Sequence, residues 1–131
     1  MKIDIKKTAA ASVAAGFAMW VAGGLWHNLV MPSLYADMHA EHEGIGILLI
    51  ANIILALFMA YLYPRAFKGK SRLKDGLWLG VFVGLLWVFP HGLAMAGAHG
   101  QSLAYVFKNA LWHMVEQGIG GIVVAYVYDK V

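Results

Sequence analysis

Four predominantly apolar runs, each long enough to cross a bilayer, take up most of this 131-residue chain. They span about 8–30, 44–63, 75–96 and 102–128. A membrane-spanning helix needs ~20 mostly apolar residues, whereas a barrel strand needs only ~10. In hydrocarbon, only helices and closed barrels satisfy every backbone N–H and C=O. The runs show no strand-like alternation and are too long for barrel strands. The expected fold is all-α: a polytopic membrane protein built as one four-transmembrane-helix bundle, a single domain over 1–131.

Composition points the same way. Hydrophobic residues make up 61% of the chain and charged residues 13%. A soluble domain has ~45–50% and ~25%. These values exclude a disordered tail, a nucleic-acid-binding module and an ordinary cytosolic enzyme. The chain has no cysteine, which excludes disulfides, thiolate metal sites and cysteine nucleophiles. Lys2, Lys6 and Lys7 ahead of an Ala-rich run imitate a signal peptide. The apolar stretch is too long for a ~7–15-residue signal core, and it carries Trp20 and Trp26. It is expected to be a retained first helix.

The basic residues predict the orientation. Nine of the ten Lys and Arg precede span one, fill the loop between spans two and three, or follow span four; Lys108 is the exception. The other two loops hold Asp37, Glu41 and Glu43 with no Lys or Arg. By the positive-inside rule both termini are cytoplasmic. The net charge of +3 is then a topology signal, with anionic headgroups as a secondary partner. Tyr61, Tyr63, Tyr126 and Tyr128 fall at cytoplasmic helix ends and Tyr35 and Tyr105 at outer ends, as an aromatic belt requires.

This topology sorts the six histidines into the outer half or near the midplane. Span four carries Asn109, His113, Glu116 and Gly120 at i, i+4, i+7 and i+11, flanked by Gln117. At ~100° per residue they share one face. A charged Glu facing lipid at mid-bilayer would cost ~2.5 kcal/mol or more, so this face is expected to point into the bundle. Span three repeats Gly76, Gly80 and Gly84, a small-residue stripe for close helix packing. His91 is expected to continue that face. Pro90 is expected to break the helical bond to the Leu86 carbonyl and open a polar cavity. Pro64 is expected to stop span two. In span one, Gly16, Trp20, Gly24 and His27 share a face, so His27, His91 and His113 are expected to converge from three helices. Asn52 and Asn109 read as interhelical hydrogen bonders. GGLW before Pro32 and GLLW before Pro90 echo one another, as in a duplicated two-helix unit.

Three functions fit these residues. One is a small-ligand, ion or proton pathway through Asn109, His113, Glu116, Gln117, His91 and His27. A second is haem or transition-metal binding by His27, His91 and His113, aided by Met31, Met38 or Met95. Within this reading the outer-loop pair His39 and His42 would be a surface chelate. The third is a non-catalytic subunit or assembly factor of a larger membrane complex, or a homodimer packed through Gly76, Gly80 and Gly84. The chain has no nucleophile motif, phosphate loop or HExxH pattern, and only one carboxylate lies well inside a span. Paired acid–base chemistry lacks its second member, so an enzyme is not expected.

GGLWHNLVMPSLY (Gly23 to Tyr35) and NALWHMVEQGIGGIVVAYVY (Asn109 to Tyr128), with the glycine-rich third span, resemble a family of small four-helix bacterial inner-membrane proteins, a domain of unknown function. The resemblance implies a multi-pass protein of the bacterial plasma membrane and brings no activity with it. Members of that family often have a tyrosine and a small polar residue after the span-one Trp. This chain has His27 and Asn28 there, which sets a His27 site apart from the family pattern.

Overall fold

A computed structural model describes residues 3–35, 44–67 and 71–131. The fold is a helical bundle of four long helices: α1 (Ile5–Leu25), α2 (Ile45–Ala66), α3 (Arg72–His99) and α4 (Leu103–Lys130). Between α1 and α2 lie a π-helical turn, Trp26–Val30, and a 3₁₀ turn, Pro32–Tyr35. The segments Ile5–Val30, Ile45–Ala66 and Arg72–His99 are long and apolar enough to cross a membrane. α4 is as long as α3, at 28 residues, but Asn109, His113, Glu116 and Gln117 lower its hydropathy. Ten of its residues are buried, more than in any other helix.

Local chemistry sets the helix ends. Asp4 caps α1, its carboxylate accepting from the Lys7 N–H at 3.1 Å, and so satisfies one of the orphan donors of a first turn. Gly100 ends α3 in the left-handed region (φ 69°), its N–H bonded to the Ala96 carbonyl, where a side chain would be strained. α3 extends its expected span at both ends, α2 and α4 run on a little past theirs at the C-terminal end, and α1 gives way to the π turn after Leu25. Pro64 sits in the last turn of α2 without stopping it, since a missing N–H at a helix end costs a single bond. Pro90 likewise lies inside an unbroken α3. It has no N–H for the Leu86 carbonyl but does not end the helix, and the two echoing segments differ in structure: the first ends in a π turn, the second continues.

The three glycines of α3 face α4. A Cβ on Gly76 or Gly84 would lie 2.5 Å from the carbonyl oxygen of Gly121 or His113, and one on Gly80 would overlap the Gln117 carbonyl. This close approach occurs inside the bundle, so that face is occupied by α4 and is not open to a second copy. Gly16 plays the same part between α1 and α2, beside Ile53.

A dry core fills the half of the bundle nearer the termini. It comprises Ala11, Ala15 and Met19 of α1, Ala56, Met59 and Ala60 of α2, Leu79 and Val83 of α3, and Val124 and Ala125 of α4. At that end Tyr63 donates to Asp129 Oδ2 at 3.1 Å, and Arg72 Nε meets the same oxygen at 3.1 Å. Tyr63 is therefore buried, not a belt residue. Around the outside, Phe17, Ile47, Phe58, Trp78, Phe82 and Leu111 are exposed. An apolar surface of this extent is abnormal for a soluble monomer and ordinary against lipid.

Candidate functional site

Glu116 is 4% exposed and lies between α4 and α1. Its Oε2 is 2.8 Å from His113 Nδ1. That is an ion-pair distance, although the ring N–H does not point along the contact as a hydrogen bond requires. Gln117 Nε2 donates to the same oxygen at 3.3 Å and approaches Met19 Sδ at 3.9 Å. On the α1 side the carboxylate rests against Gly23, and Met19 rests against Gly120. Residues 19 and 23 of α1 thus meet residues 120 and 116 of α4 one helical turn at a time. One turn further on, Trp26 stacks on Trp112 with ring centroids 4.3 Å apart and planes 2° from parallel.

A cavity of about 210 Å³ opens beside this pair, between α3 and α4. Its α3 wall includes Trp87, His91 and Met95, and its α4 wall includes Tyr105, Asn109 and His113. Trp87 also meets the His113 ring edge-on, at 5.1 Å. Gly92 and Val106, in contact, hold the two helices together along the same stretch. With ~30 Å³ per water, the cavity has room for about seven. It is smaller than the ~300–1,000 Å³ usual for cofactor pockets, and does not suit haem. In the opposite half the same two helices carry only apolar lining, a groove of about 360 Å³ between Leu77 and Val81 on one side and Ile119 and Ile122 on the other, and the buried apolar core begins there at Met19.

The polar stripe of α4 is thus real but divided. Asn109 and His113 line the cavity against α3, while Glu116 and Gly120 face α1. The expected convergence of three histidines is not observed. His91 and His113 line the cavity and His27 does not; its Nδ1 donates to the Gly23 carbonyl of its own helix at 2.7 Å. The π turn that carries His27 closes with the Met31 N–H on the Trp26 carbonyl, 2.9 Å. Gly92, not His91, continues the packed glycine face; His91 is exposed at the cavity rim. Asn52 bonds the Leu48 carbonyl on its own helix at 3.0 Å, so it is not an interhelical bridge. His39, His42 and Met38 lie outside the described residues. Among the described residues no three His, Asp or Glu side chains group as a metal site.

Sequence reasoning missed Met19, Gly23, Trp87 and Trp112. Gly23 could have been found from its seven-residue spacing to Gly16. Trp87 could have been found as the residue four before His91. No family model matches the chain, nor does any curated protein or solved structure, so the resemblance of Gly23 to Tyr35 and Asn109 to Tyr128 stands on those residues alone.

Proposed function

We propose that this chain is a four-span bacterial plasma-membrane protein with both termini cytoplasmic. Its working site is the cavity at His91, Asn109 and His113, a one-sided binding site for a small ligand, ion or proton reached from the outer half. The observation that carries this reading is the His113–Glu116 pair: one ring that lines a cavity of about 210 Å³ sits 2.8 Å from a buried carboxylate. Buried ionisable groups in a membrane are costly to keep, and here the carboxylate sits beside an imidazole that lines the cavity. The dry core below Met19 favours binding over a continuous conduit.

The absence of cysteine permits a direct test. Asn109→Cys is expected to react with a small membrane-impermeant thiol reagent added to the outer face. Ala56→Cys, in the dry core, is expected to stay unmodified, and Lys130→Cys to react only after permeabilisation. Labelling of Asn109→Cys solely from the cytoplasmic side, or from neither side, overturns the reading.

A further inference from the structure

The donor set of the cavity is more specific than its polarity. His91 and Met95 stand one helical turn apart on α3, across from His113 on α4. These side chains bring two imidazoles and a thioether, and no carboxylate, Lys or Arg lines the cavity. A hard cation such as Ca²⁺ or Mg²⁺ needs an oxygen cage, and a zinc site needs at least three nitrogen, thiolate or carboxylate ligands. The cavity offers three neutral oxygen-bearing side chains, Gln101, Tyr105 and Asn109, and two imidazoles, too few for either set. Imidazole suits copper, and a thioether selects its softer, monovalent state. Burying charge away from water is expensive, which further favours a monovalent ion.

Glu116 completes the arrangement. His113 Nδ1 is the buried ring nitrogen, held 2.8 Å from Glu116 Oε2, which leaves Nε2 as the nitrogen for a ligand. At 2.8 Å a small rotation of the ring turns this contact into an Nδ1–H to carboxylate hydrogen bond, and a carboxylate bonded in that way fixes the tautomer of a ligating histidine. We infer that the cavity binds a soft monovalent metal cation, Cu(I), through His91, His113 and the Met95 thioether, with Glu116 as the positioning residue behind His113. This rests on the cavity being the working site, and names its ligand class.

The test uses the full chain in lipid nanodiscs, titrated anaerobically with Cu(I) against a chromophoric Cu(I) chelator. One Cu(I) per chain is expected, displaced by Ag(I) and not by Zn²⁺. His91→Ala and Met95→Leu are each expected to weaken binding at least tenfold. Met95→Leu preserves side-chain volume, so its effect is not one of folding. It is also expected to remove the sulfur shell from the copper X-ray absorption spectrum. Glu116→Gln, acting through His113, is expected to lower affinity ~10–100-fold while leaving the sulfur shell in place. No Cu(I) binding, preferential Zn²⁺ binding, or unchanged affinity in both His91→Ala and Met95→Leu overturns the inference. Outer-face labelling of Asn109→Cys without Cu(I) binding removes the ligand assignment alone. Cu(I) binding without such labelling removes the outer access alone.

Discussion

The Glu116 carboxylate occupies the space that a side chain on Gly23 would need: its Oε1 would lie 2.7 Å from a Cβ built there. Gly23→Ala is therefore expected to push the carboxylate off His113 and Gln117. Overpacking of this kind costs ~1–3 kcal/mol. Gly24, one residue on, has nothing within 4 Å of the same position. There an alanine is expected to be neutral or to stabilise by up to ~1 kcal/mol through helix propensity. Unfolding in a graded detergent series, followed by circular dichroism, compares the two; equal stabilities would refute the contact.

Gly80 is a stricter case. A Cβ there meets the backbone of Gln117 and Gly118 rather than the end of a side chain. Backbone cannot rotate away, so α3 and α4 must separate. Gly80→Ala is expected to be more destabilising than Gly23→Ala in the same unfolding series. A smaller effect would mean that the two helices are less closely apposed than the geometry indicates.

The order of substitutions at Glu116 is also determined. Glu116→Gln keeps the shape and an oxygen acceptor for Gln117. Glu116→Ala leaves Gln117 Nε2 with no polar partner but the weak Met19 sulfur, in a buried setting. An unsatisfied buried group costs ~1–3 kcal/mol. Stability is expected to fall in the order wild type, Gln, Ala. Finding Ala as stable as Gln would show that the carboxylate contributes nothing to the α1–α4 contact.

Trp112 presents the opposite balance. Its Nε1 is buried without a partner, while its ring stacks on Trp26. Trp112→Phe removes the orphan donor and keeps an aromatic face, with an expected loss below ~1.5 kcal/mol. Trp112→Ala empties the site, with an expected loss of ~3–5 kcal/mol. A Phe variant as damaged as the Ala variant would indicate that the indole N–H is engaged after all.

The helices were legible in the sequence because length and hydropathy are properties of each segment by itself. Runs such as 44–63 and 75–96 read as helices from length and hydropathy alone, and they coincide with α2 to within three residues at either end and lie wholly inside α3. The packing role of Gly76, Gly80 and Gly84 was also legible, since four-residue spacing by itself puts small side chains in one line. The site was only half legible. The α4 face was identifiable from its spacing, but its division between α3 at His113 and α1 at Glu116 was not. His27 was placed in the site because it shares a face with Gly24, whereas α1 presents Met19 and Gly23 to α4.

The sequence by itself determined that this chain forms long apolar helices, that its basic residues gather near one set of helix ends, and that one helix carries a polar face of Asn109, His113 and Glu116. Tertiary structure alone decided how each helix is rotated. Lipid is as apolar as a leucine side chain, so no hydrophobic force turns one apolar face inward over another. The rotation follows instead from where backbones can touch at glycine, as at Gly80 and Gln117, and from where a buried carboxylate finds its donors, as Glu116 finds Gln117 and His113 beside Gly23.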